Sequence, residues 1–140
     1  SSKDKVNTLQ FNFDNNNSSN AVGTGAAETG DDILLFSPYP GFSDNFLTTK
    51  CTNSSQSSCG ATDVLAGGTA DGAGAFTRQS GFKVYEMKHP LNSGDVGHDF
   101  AVATGGKVGI FLTLKLGEGA KGNTQWPGFR KYRTITIEQP

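Results

Sequence analysis

Gly81-Phe82-Lys83-Val84-Tyr85-Glu86-Met87-Lys88-His89-Pro90-Leu91-Asn92-Ser93-Gly94-Asp95-Val96-Gly97-His98-Asp99-Phe100 is the stretch whose reading decides the fold. Aromatic and β-branched residues between Gly81 and Pro90 predict an extended strand from Phe82 to His89, because a helix would not continue through Pro90. Along that strand Tyr85, Met87 and His89 share one face, and Val84, Glu86 and Lys88 the other. Asn92-Ser93-Gly94-Asp95 has the composition of a tight turn, after which Asp99 to Ala103 is expected to begin another strand. The stretch carries both histidines and the single methionine of the chain, so most of the candidate ligand chemistry is gathered here.

Working outward, the same period of two recurs. Leu9, Phe11 and Phe13 share a face of a strand from Val6 to Asp14, and Ile33-Leu34-Leu35-Phe36 is a short, nearly continuous apolar strand stopped by two prolines at Pro38 and Pro40. Val108, Ile110, Leu112 and Leu114 alternate with Gly109, Phe111, Thr113 and Lys115, reached through a hairpin turn at Thr104-Gly105-Gly106-Lys107. Tyr132, Thr134 and Thr136 alternate with Arg133, Ile135 and Ile137 in a closing strand. Between Phe42 and Gln79 no regular element is expected, and Gly67 to Gly74 reads as an ordered loop or flexible rim. No amphipathic helix or fixed repeat is visible. The expectation is one domain over 1–140, an all-β antiparallel β-sandwich of immunoglobulin or jelly-roll type with long glycine-rich loops.

Composition narrows the function classes. Twelve basic and thirteen acidic residues leave a net charge of −1, which argues against nucleic acid and against a polybasic membrane surface. No apolar run approaches the roughly 20 residues a membrane-spanning helix needs. Cys51 and Cys59 enclose a wholly polar loop that a disulfide would hold, contributing about 2.5 kcal/mol by loop entropy. That bond implies an oxidising compartment, and a two-cysteine metal site is the weaker alternative. Asn16, Asn17 and Asn53 begin Asn-x-Ser patterns, candidate glycosylation sites in a secreted protein. The expected location is secreted, cell-surface or periplasmic, and the opening Ser1-Ser2-Lys3-Asp4 reads as that of a processed product or fragment.

Tyr85-Glu86-Met87-Lys88-His89-Pro90-Leu91, with Asn92-Ser93-Gly94-Asp95 and Asp99 after it, resembles the signature strand and turn of haem-binding domains related to the ethylbenzene dehydrogenase γ subunit. These belong with DOMON-like and family-nine carbohydrate-binding β-sandwiches. The resemblance extends through Gly105-Gly106-Lys107-Val108-Gly109-Ile110-Phe111 to Trp126, covering roughly the C-terminal half. It implies an extracytoplasmic domain that binds haem b for electron transfer, serves a redox partner protein, and in its full form carries further N-terminal strands. The family's axial pair of a methionine with lysine or histidine would make Met87 the thioether ligand and His98, His89 or Lys88 the nitrogen ligand, with Tyr85, His89 and Trp126 lining the pocket. His89 stands where many relatives have an arginine, which points to a structural role or a contact with a propionate. The bland alternative makes Met87 core filler and leaves both histidines exposed.

Other chemistry is carried by the residues themselves. Asp95 and Asp99 flank a glycine-containing turn and, with Asp44, Asp31 or Asp32, offer oxygen ligands for calcium. Set against this are a turn cap at Asp95 and a loop hydrogen bond at Asp99. Trp126, Tyr39, Phe42, Phe129 and Tyr132 lie in or near loops, as stacking platforms for a polysaccharide would. A structural subunit that self-associates through an open sheet edge is a third reading. Catalysis has the least support: no nucleophile elbow, zinc-protease motif or phosphate loop is present.

Overall fold

The computed structural model describes residues 8–15, 30–37, 41–47, 60–115, 123–128 and 132–138. Nine strands and one short helix follow in chain order among them: β1 (Thr8–Phe13), β2 (Asp32–Phe36), β3 (Phe42–Leu47), β4 (Gly60–Thr62), α1 (Asp63–Ala66), β5 (Ala73–Gln79), β6 (Phe82–Lys88), β7 (Lys107–Lys115), β8 (Asn123–Trp126) and β9 (Arg133–Thr136). Seven strands form one antiparallel sheet in the order β4-β3-β2-β1-β7-β8, with β9 also paired to β7. β5 and β6 form a separate antiparallel hairpin. The fold is all-β and sandwich-like, as the alternating sequence predicts.

β1 and β7 sit in the middle of the large sheet because apolar side chains project from both of their faces. Phe13, Leu34, Phe100, Val102 and Val108 form one core, flanked by Phe11, Phe42, Met87, Ile110 and Ile137. Ile33, Leu47, Phe111 and Tyr132 form the other, with Leu35 against them. Adjacent residues such as Ile33 and Leu34, or Ile110 and Phe111, thus feed opposite cores. The hairpin lies over the first face, where Phe36 takes Phe76 and Tyr85 edge-on at ring separations of 5.6 and 5.3 Å. As expected, Tyr85, Met87 and His89 lean inward while Phe82, Val84, Glu86 and Lys88 are exposed.

Three expectations change. Asp99 to Ala103 is not a ladder strand: it crosses the first face, anchored by the Val102 amide on the Leu91 carbonyl at 2.8 Å and by Phe100 stacked on Phe13 at 4.5 Å. Burial of two apolar side chains fixes this segment without a partner strand. The region from Phe42 to Gln79 does hold regular structure, namely β3, β4, α1 and β5. Its polar residues hid the strand pattern because Asp44 and Asn45 are themselves buried. Finally, the glycine run, expected as an ordered loop or flexible rim, passes directly into β5 at Ala73 and is closely packed. A Cβ on Gly72 or Gly74 would stand 2.5 or 2.6 Å from the Phe42 ring, and one on Gly68 would meet Asp95 Oδ2 at 2.3 Å.

Burial sets the expected cost of truncation. Phe111, fully buried, should lose about 3–5 kcal/mol on Phe111→Ala. Phe82, 75% exposed, should change stability by no more than about 0.5 kcal/mol on Phe82→Ala. Urea unfolding of the two variants checks both, and equal losses would contradict the two-core arrangement.

Candidate metal centre

Strand alternation carries charge into the first core. Asp32 shares its face with Leu34 and Phe36, and Asp44 stands between Phe42 and Phe46 at the same parity, opposite Leu34 in the ladder. Asp63 opens α1, and Asp99 comes from the segment that follows β6. The exposures of Asp32, Asp44, Asp63 and Asp99 are 0, 3, 0 and 3%, so all four carboxyls are withdrawn from water. His89, directly after β6, brings a side chain that is only 3% exposed into the same space.

Hydrogen bonding is sparse where burial is deepest. Asp44 Oδ2 accepts the backbone amides of Asp71 and Gly72 at 2.9 and 2.8 Å, an approach the missing Cβ of Gly72 permits. Its Oδ1 forms no well-formed hydrogen bond, and neither does either oxygen of Asp32, Asp63 or Asp99, although the Phe100 amide lies beside the Asp32 carboxyl and the Asp63 and Asp99 carboxyls lie beside each other. Among the described residues most of the buried side-chain oxygens without a well-formed hydrogen bond are gathered here, and an unmet buried polar group costs about 1–3 kcal/mol, more if charged. Around the rim the bonds are made. Asp95 Oδ1 pairs with His98 Nδ1 at 2.7 Å, Asp95 Oδ2 accepts the Thr69 amide at 2.6 Å, and the Thr69 hydroxyl donates to Asp71 at 2.5 Å. His98 also packs edge-on against Phe46 at 4.6 Å.

Proton affinity follows this division. Burial, then repulsion from Asp44 and Asp99, holds Asp32 well above the ordinary carboxylate range. Asp44 is raised by burial, with the Gly72 amide pulling the other way and Asp99 adding to the rise. Asp63 is pushed up to about 8, by burial first and then by Asp44 and Asp99. Asp95 goes down: burial opposes this, but the bonds from His98 and Thr69 prevail.

Three ligand sets converge on Asp99, each with its donor atoms within 4.8 Å of one another: Asp44, Asp63 and Asp99; Asp32, His89 and Asp99; Asp71, Asp95 and Asp99. Four of the aspartates named from sequence as oxygen donors, Asp32, Asp44, Asp95 and Asp99, meet here. Asp31 does not; it accepts the Tyr132 hydroxyl at 2.5 Å instead. The Asp95 carboxylate ties its own loop through His98 and reaches across to Thr69, and the Asp99 carboxyl lies beside that of Asp63. The turn itself is closed by Asn92 and Ser93, which accept the amides of Gly94 and Asp95 at 3.0 Å each. Sequence reasoning missed Asp63 and Asp71, whose only signal was their place beside the glycine run.

The other candidates are dispersed. Met87 packs against the first core beside Gly74. Lys88 is exposed on the opposite face of β6, Tyr85 lies against Phe36 and Phe76, and Trp126 is 55% exposed at the end of β8. Cys51, Cys59, Asn16, Asn17, Asn53, Tyr39 and Phe129 lie outside the described residues.

A carboxylic acid whose folded pKa exceeds its unfolded one stabilises the fold while protonated. For Asp63 that contribution is full below 3.8 and is lost as pH rises through about 8. In chelator, the melting temperature should therefore fall between about pH 5 and about pH 8, and Asp63→Asn should flatten the fall and raise stability at the upper end by about 1–3 kcal/mol. Thermal melts across pH measure this; a wild-type melting temperature that rises over the interval would contradict it.

Comparison of the chain with protein-family models, with characterised proteins and with solved structures finds no match in any of the three. What the domain does is therefore read from the chemistry of its buried carboxylates.

Proposed function

We propose that this is a divalent-cation-binding β-sandwich domain of an extracytoplasmic protein, with calcium held by Asp44, Asp63 and Asp99. The observation that carries the reading is the set of buried carboxylate oxygens without well-formed hydrogen bonds. Among the described residues, no lysine or arginine makes an ion pair with any of these three. Like charges in a low-dielectric site need protons or a cation to coexist, and near neutral pH a dication is the stronger of the two. Calcium suits an all-oxygen set drawn from three separate segments, because its coordination number and geometry are permissive; magnesium demands a near-ideal octahedron and keeps its water.

Bound there, the ion would fasten β3, α1 and the segment after β6 to one another. The rim formed by Thr69, Asp71, Asp95 and His98 would be fixed with them, giving a rigid border for a further ligand. Haem b ranks second. It rests on the resemblance around Tyr85 to Leu91 and on the inward position of Met87, whereas Lys88 is exposed on the opposite face of β6 from Met87.

Calorimetric titration of chelator-treated protein at neutral pH tests the first reading. Calcium should bind with a melting-temperature rise equivalent to about 2.7 kcal/mol at a hundredfold excess over Kd. Asp99→Asn should remove most of that gain, and absence of both heat and thermal shift up to millimolar calcium would reject the proposal. Hemin titration separates the second reading: a Soret shift abolished by Met87→Ala would support it, and a colourless protein would discard it.

A further inference from the structure

The geometry points to a second, mixed nitrogen and oxygen site beside the calcium site, in which His89 Nε2, Asp32 and Asp99 take a zinc-like transition-series dication and Asp99 bridges the two. This deepens the calcium reading, since the two sites share one carboxylate. His89 Nδ1 lies 2.7 Å from the Pro90 carbonyl, so it carries a proton and donates it there. In the neutral ring the lone pair is then on Nε2, the arrangement in which a backbone acceptor fixes the tautomer of a metal-binding histidine.

Nε2 is buried and has no hydrogen-bond partner. It stands 3.3 Å from Asp99 Oδ2 and 3.9 Å from Asp44 Oδ2. A charge-assisted hydrogen bond from an imidazolium would close to about 2.7–2.9 Å. Two donors bound at about 2.1 Å to a tetrahedral zinc ion lie about 3.4 Å apart, which is close to the separation observed. Asp32 completes the set, its carboxylate lying near the Phe100 amide but in no well-formed hydrogen bond. The calcium site offers oxygen alone, and the imidazole adds the borderline donor that favours zinc, copper, iron or nickel over calcium.

The experiment uses the whole chain, stripped of metal and then saturated with calcium. Zinc titrated into this sample by calorimetry should bind at one further site without releasing calcium, and His89→Gln should weaken zinc by more than about tenfold while leaving calcium affinity within about twofold. In wild-type protein, nitrogen NMR of the His89 ring should show the Nε2 resonance moving on zinc addition while Nδ1 stays protonated, a readout that does not depend on any variant folding. Displacement of calcium one for one, an unmoved Nε2 resonance, or equal zinc affinity in His89→Gln would each overturn the second site. Zinc binding through His89 in a protein that ignores calcium would support this site and reject the calcium reading alone.

Discussion

A carboxylate placed among other carboxylates and away from water must find a positive partner, and that requirement governs this domain. Asp44 is embedded in the middle of a strand whose neighbouring inward residues are Phe42 and Phe46. It spends one oxygen on the amides of Asp71 and Gly72 and stands within coordination reach of Asp63 and Asp99. The sheet supplies Asp32 and Asp44, and the segment after the hairpin supplies His89 and Asp99. On the proposed calcium reading an ion there would act as part of the core, because the surrounding elements are held by packing and by a few bonds at the rim.

The two cores divide the labour. Around Phe111 and Tyr132 the interior is conventional, and its one buried acid in contact with tyrosine, Asp31, accepts that hydroxyl. Around Phe13 and Phe100 the interior is apolar at its centre and acidic at one end. Asp31 and Asp32 are adjacent in sequence yet belong to these two worlds, since successive residues of extended chain face opposite ways. One carboxyl accepts a neutral donor, the Tyr132 hydroxyl, and the other is buried among further carboxyls.

Much of this was legible in the chain. The alternation of Leu9, Phe11 and Phe13, of Val108 to Leu114, and of Tyr85, Met87 and His89 gives the sheet class and the inward face of the central hairpin. The same parity rule, applied to Asp32 beside Leu34 and to Asp44 between Phe42 and Phe46, would have marked both acids as inward-facing. They were grouped as calcium candidates only by residue type. Asp63 and the segment after Asp99 were less accessible. A four-residue helix has no periodicity to detect, and a segment held by two buried side chains instead of a ladder looks like a strand until its partner is sought.

The glycine-rich run has a consequence for anyone trying to make this domain hardier. Exchanging glycine for alanine commonly gains about 0.4–1 kcal/mol by restricting the denatured chain. Gly72 and Gly74 are outside the left-handed backbone region and so look suitable for that treatment. At both, however, the added methyl would intrude on the Phe42 ring. The customary remedy thus turns harmful where the chain looks most like filler, and the gain from a stiffer denatured state is spent on displacing the ring next to Asp44.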